Sequence, residues 1–200
     1  MRMKPSAGII MCMLIVTVVA GVSSLVSENS ASAQTKCRSK SGVGPYIFNP
    51  SDLTAMKQAA ELIVTATVTG VVPDKDIATP LSSIPTQHIF LHVIKKYKGE
   101  VKQPSKGVTT RTDDTADDLV LFRLGDPECN TDDQPPYKTG ETVVVFLVER
   151  KDQQGIYRLV ALEGRYQVEN GTLIPMKNTG FNKEWKGRPL EELERKLETP

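Results

Sequence analysis

The only two histidines, His88 and His92, stand four residues apart, the spacing at which a helix offers two imidazoles to one metal ion. Their setting, Gln87-His88-Ile89-Phe90-Leu91-His92-Val93-Ile94, reads instead as a strand, on which four residues at roughly 3.3 Å each set them about 13 Å apart. One ion cannot take both, His-Glu-x-x-His is absent, and both histidines are expected at partly exposed sheet positions. Asp113-Asp114 and Asp117-Asp118 supply the hard oxygens that calcium needs. The EF-hand order of alternating acids, glycine and distal glutamate is missing, so these acids read as a solvated loop and no metal site is assigned. Gly-x-Ser-x-Gly is also absent, and no catalytic residue or cofactor is assigned. Glu141, Glu149, Glu163 and Glu169 flank apolar runs, and a carboxylate pair among them is the one route the sequence leaves to a hydrolase.

Lys95, Lys96, Lys98, Lys102 and Lys106, opposed by Glu100, form a basic ribbon. Single-strand nucleic-acid grooves combine such charge with several stacking rings, and Tyr97 is the only aromatic near it outside the apolar pattern. Across the chain 25 basic residues meet 24 acidic ones, so no global field draws it to nucleic acid or anionic membranes. Between Arg111 and Asp133 eight acids meet two arginines, which makes that stretch an acidic face.

Arg2 and Lys4 precede an uncharged apolar run from Ala7 to Val22, and Ala31-Ser32-Ala33 offers a small-x-small cleavage site before Gln34. Residues 1–33 are therefore expected to be a secretory signal, with an uncleaved membrane anchor as the alternative. After cleavage no membrane contact is expected, and the mature chain is placed outside the cell or on the exterior of its envelope. Cys37 and Cys129 are then the remaining cysteines, an even pair in an oxidising compartment, for which a disulfide is expected. Closing so long a loop stabilises by about 4 to 5 kcal/mol in the chain-entropy picture. The alternative is two separate thiols.

The elements that must position these residues follow from periodicity. Residues 34–50 are rich in Lys, Ser and Gly and form an extended leader. Asn49-Pro50-Ser51-Asp52 reads as a helix start with Asn49 as cap, proline in the first helical position and an acid in the first turn. A short helix with Leu53, Met56 and Ala60 on one face runs into a strand in which Leu62, Val64, Ala66 and Val68 alternate with threonines. Pro73 to Pro85 is expected to be a long exposed connection, and Gly107-Val108-Thr109-Thr110-Arg111 a third strand. Thr142 to Val148 reads as the central buried strand, and Asp152 to Gly155 as the turn into Ile156 to Leu162. Asn170-Gly171 marks a type I′ hairpin turn; Asn170-Gly171-Thr172 is also formally a glycosylation acceptor. Leucines at helical spacing after Pro189 predict a C-terminal helix.

The expected fold is mainly β: a small OB-like antiparallel barrel over residues 51–176, with a short helix before its first strand and a tail and helix over 177–200. The run Ala60-Glu61-Leu62-Ile63-Val64-Thr65-Ala66-Thr67-Val68, the run Phe90-Leu91-His92-Val93-Ile94-Lys95-Lys96-Tyr97-Lys98-Gly99, and a cysteine ahead of Lys138-Thr139-Gly140-Glu141 and its apolar strand carry a resemblance. Together they resemble the inhibitory domain of tissue inhibitors of metalloproteinases (TIMP), the netrin-like modules, and secreted bacterial proteins with the same order of elements. In the inhibitor family the first cysteine chelates the protease's zinc through its free amine and carbonyl; Cys37 matches it in order, and Cys129 matches its disulfide partner. Cleavage after Ala33 leaves Gln34-Thr35-Lys36 ahead of Cys37, and Cys-x-Cys is absent. The expected function is thus a secreted, non-enzymatic, single-copy protein-interaction module whose partner is a protein, either a protease or an envelope component. Its contact surface is the leader at Cys37 and Arg38 together with the neighbouring loops, Pro73 to Pro85 and the acidic stretch Asp113 to Pro136, with Asp113, Asp114, Asp117 and Asp118. Metalloprotease inhibition of the TIMP type is the alternative, and a hydrolase using strand-edge carboxylates the second.

Overall fold

Asp52 opens the first helix. Its carboxylate accepts a hydrogen bond from the Ala55 amide at 2.8 Å while its own backbone stays extended, the geometry of an N-cap, and α1 follows at Leu53–Ala59. The cap is therefore Asp52 itself rather than Asn49, because a short carboxylate one residue before the helix reaches an otherwise orphaned amide. That bond also holds the Asp52 carboxyl below its ordinary value. The computed structural model describes residues 50–78, 83–104, 118–125, 135–177 and 180–199.

Seven strands make one sheet: β1 (Leu62–Ala78), β2 (Ser83–Lys98), β3 (Asp118–Leu124), β4 (Thr142–Arg150), β5 (Gln153–Leu159), β6 (Arg165–Glu169) and β7 (Thr172–Pro175). Their order is β1-β2-β3-β5-β4-β6-β7, and β1 also pairs with β4. Pairing thus runs from β1 through β2, β3, β5 and β4 back to β1, with β6 and β7 extending beyond. A ring of five strands cannot close with antiparallel neighbours alone, since an odd number of reversals leaves two neighbours pointing the same way. That pair is β3 and β5, which meet in parallel through Val120↔Ile156 and Leu121↔Tyr157. The sheet is consequently mixed, not antiparallel as the sequence suggested, and its short parallel seam makes the ring partial.

β1 and β2 are long, 17 and 16 residues, and they correct a second expectation. Pro73 and Pro85 do not end the strands. Pro73 lies opposite Gln87, and pairing continues through Asp74↔Thr86 to Ala78↔Ser83. Proline is tolerated in a ribbon where one edge needs no donor. β4 pairs with β1 only over Leu62 to Thr67, and β1 is exposed from Val72 to Ala78. The outer ends of β1 and β2 therefore form an arm beyond the ring. Register shifts at Ile63/Val64, Thr65/Ala66, Val68/Gly70 and Asp74/Ile77 supply the bends that carry one strand through both environments. The third strand expected at Gly107–Arg111 falls outside the described residues; the strand beside β2 is β3.

β4 explains its unbroken apolar sequence by having two buried faces. Val143 to Leu147 are all fully buried. Val143, Val145 and Leu147 join Leu62, Val64, Ile89, Leu91, Leu119, Leu121 and Tyr157 in one core cluster. Val144 and Phe146 face a second cluster with Met56, Ile63, Tyr166, Leu173, Trp185, Leu193 and Leu197. That second core unites α1, β1, β4, β6 and β7 with the 3-10 turn Gly180–Trp185 and the helix α2 (Leu190–Glu198). Burying each such large side chain contributes about 1.5 to 3 kcal/mol.

Of two tight turns, one follows the sequence and one departs from it, since Gln153 to Gly155 lie in β5 and not in the turn. Asn170 (φ 50°) and Gly171 (φ 75°) link β6 to β7 with positive φ at both central positions, as a type I′ turn requires. The β4–β5 hairpin is tighter than expected: Arg150 faces Gln153, while Tyr157 faces Glu149. The residues between form a bulge at Gly155, where φ is 76° and a side chain would collide with the Gln103 carbonyl.

Candidate functional site

The arm is the feature most separated from the two cores, and polar side chains fasten it along its length. Thr86 Oγ1 donates to the Lys75 carbonyl at 2.8 Å, and Ser83 Oγ donates to Asp76 Oδ2 at 2.5 Å. Among large apolar side chains, Val72 and Ile77 on the arm remain 38% and 43% exposed.

On one face of its root, His88 is buried, with Nε2 3.5 Å from Asp74 Oδ2. Its ring leans on Phe122, centroids 6.1 Å apart, and the Arg150 guanidinium lies 4.0 Å from the Phe122 ring centre. Asp152 holds that guanidinium through two bonds of 3.0 and 2.6 Å. Burial pushes the His88 pKa down, Asp74 acts upward against it, and Arg150 adds to the lowering. His88 is thus not the partly exposed histidine expected from sequence, because β3 lays Phe122 against it.

On the other face, Gln87 is fully buried. Its Nε2 donates to the Gly125 carbonyl at 2.9 Å, and its strand partner is Arg123. Beyond these lies a buried ionic node. Arg165 Nη2 donates to Glu141 Oε1 at 2.6 Å, both side chains at most 5% exposed. Arg165 Nη1 donates to the Pro135 carbonyl at 2.7 Å, and the guanidinium sits 3.5 Å over the Tyr137 ring. Glu141 Oε2 accepts from the Lys138 amide at 3.0 Å. Burial raises the Tyr137 pKa, with Arg165 and Arg123 opposing. One guanidinium therefore pins the approach to β4 from Pro135 to Glu141 against β6. Nothing in the sequence pattern flagged this; the available signal was a single arginine opening a short strand whose neighbours are buried.

The residues singled out from sequence are distributed differently. Cys37, Arg38, Asp113, Asp114, Asp117, Lys106 and Cys129 lie outside the described residues. Asp118 opens β3 and pairs with His92 Nδ1 at 2.9 Å, joining two positions read separately. Two lysines of the ribbon are neutralised by carboxylates and a third is engaged by backbone carbonyls. Lys95 pairs with Glu194 at 3.1 Å and Glu198 at 2.9 Å, Lys102 with Glu149 at 2.5 Å, and Lys98 donates to the Lys57 and Gln58 carbonyls at the end of α1. Tyr97 donates to Glu194 and bonds Thr65 at 2.9 Å; burial, then the Glu194 bond, push its pKa up to about 12. This cluster fastens α2 to the sheet. The four glutamates have separate partners: Glu141 with Arg165, Glu149 with Lys102 and the Gly155 amide, Glu163 with Lys177 at 3.1 Å, and Glu169 with Gln167 at 2.7 Å. Among the described residues no three His, Cys, Asp or Glu side chains gather as a metal ligand set.

The fold and site define a mainly β protein: a seven-stranded mixed sheet in a partial ring, two short flanking helices and a projecting arm. No protein-family model matches the chain, and no curated protein matches it either.

Two predictions follow from the two faces of the root. Arg165→Met leaves Glu141 buried without its partner and lowers unfolding stability by about 3 to 5 kcal/mol in urea titration, and Glu141→Gln in the same chain restores part of it. For His88, the folded pKa lies below the unfolded value of 6.5. The unfolded chain therefore takes up the proton first, and this contribution is intact above about pH 6.5 and is lost as pH falls toward the folded value. His88→Gln should flatten that acid-side decline, read by thermal unfolding across the interval.

Proposed function

We propose that this chain is a secreted, non-enzymatic protein-interaction module on a small OB-like, TIMP-like barrel, and that the arm is its contact element. The barrel reading is supported by five strands whose pairing returns to its start around one shared apolar cluster, the arrangement by which small barrels fill their interiors. The arm carries the contact reading. Two branched apolar side chains, Val72 at the root and Ile77 toward the tip, are left partly exposed on a ribbon that polar bonds hold in shape. Pro73 lacks an amide donor, and Asp74, Lys75 and Asp76 put charge along the edge, which blunts strand addition between copies. The arm thus offers side chains rather than a bare backbone edge. A surface organised before contact loses less freedom on binding. In this reading the leader at Cys37 and the acidic stretch Asp113 to Pro136 complete the contact surface.

Moving two branched side chains from water into a partner contributes a few kcal/mol, so Val72→Asp with Ile77→Asp should weaken partner capture by roughly tenfold or more. Capture is measured from the envelope of the exporting cell with immobilised mature protein. Ile94→Asp, exposed on β2 away from the arm, serves as control and should leave capture unchanged. Equal capture by the arm variant, or turnover of substrates in a broad hydrolase panel, would refute the reading.

A further inference from the structure

Asn170–Gly171 is the only Asn-Gly step in the chain, and the interaction surface does not use it. Both residues are exposed. Gly171 lacks a Cβ, and no heavy atom lies within 4 Å of where one would stand. No neighbouring group therefore packs against the turn on that side, and asparagine is among the thermolabile residues.

The turn also seats the C-terminal helix. The Gly171 carbonyl accepts the Leu190 amide at 2.8 Å, the first amide of α2. Thr172 bridges Pro189, the Leu173 amide donates to Arg188, and the Gly187 amide donates to Leu173, each at 2.8 Å. Leu193 and Leu197, which α2 buries in the second core, are positioned from this junction.

We propose that Asn170 is a site of spontaneous deamidation and isomerisation, and that isomerisation there loosens the docking of α2. The Gly171 nitrogen attacks Asn170 Cγ and forms a C–N bond as the Cγ–Nδ2 bond breaks. Ammonia leaves, carrying the proton from the Gly171 nitrogen, and a five-membered succinimide remains. Water then adds to one of the two ring carbonyls. One opening gives aspartate; the other gives isoaspartate, in which the main chain runs through the former side chain and is one carbon longer. No oxidant or reductant takes part. The longer chain cannot hold a two-residue type I′ turn, so the Gly171 carbonyl leaves the place from which it meets Leu190.

The test is to age the purified mature chain in buffer and map its peptides. The Asn170 peptide should gain one mass unit, split into aspartyl and isoaspartyl forms, and accept methyl groups from an isoaspartyl methyltransferase. Asn178 and Asn182, followed by Thr and Lys, should stay unchanged. Native-state hydrogen exchange on the separated isoaspartyl form should show α2 amides exchanging roughly tenfold faster, with β4 unaltered. Ageing of Asn170 no faster than of Asn178 would overturn the site. An isoaspartyl form with undisturbed exchange in α2 would overturn the coupling.

Discussion

The six-residue ladder between β1 and β4, Leu62↔Leu147 to Thr67↔Thr142, is the pairing on which the rest depends. Without it the strands would form an open mixed sheet with β1 as a free edge. With it, the sheet returns on itself and encloses one apolar cluster, while the opposite faces of the same two strands become the floor of another. The ladder also fixes where the arm begins. β4 ends its pairing at Thr67, the turn before it still holds Val68 through Glu141 and Gly140, and from Val72 outward β1 and β2 continue as a ribbon.

Closing the ring imposes a cost in polar groups at the root of that ribbon. Interior positions near the ring's end hold Gln87, Arg123, Tyr137 and Arg165 instead of aliphatic side chains. A buried guanidinium is tolerable only when paired and bonded on several sides. Arg165 meets that requirement through Glu141, the Pro135 carbonyl and the Tyr137 ring. The opposite face uses a neutral histidine, an aromatic ring and an arginine held by an aspartate. Of the two, the histidine side touches the arm directly, through His88 and Asp74.

What was legible in the sequence was whatever rests on local periodicity. Alternation from Leu62 to Val68, the apolar run at Val143 to Leu147, the Asn170-Gly171 turn and the leucines of α2 each declare their element. The arm was hidden because Pro73 and Pro85 argue against strand wherever both edges must be paired, and the sequence does not say that one edge is open. The parallel seam spans two residue pairs and has no sequence signature; it follows only from counting strand reversals around a ring. The lysine ribbon was misleading for another reason. Glu194 and Glu198, which neutralise Lys95, arrive from the far end of the chain, and Glu149 reaches Lys102 from another strand. The candidate contact surface was legible only in part, since exposure of Val72 and Ile77 depends on the strands continuing past Pro73.

The most direct test of the ring is cross-strand nuclear Overhauser contacts between β1 and β4 in the mature chain in solution. The account predicts backbone contacts following the Val64↔Val145 and Ala66↔Val143 register, alongside those between Val68 and Leu91 in β2. Intact contacts from β1 to β2 with none from β1 to β4 would contradict it, leaving an open sheet with no enclosed core and no defined root for the arm.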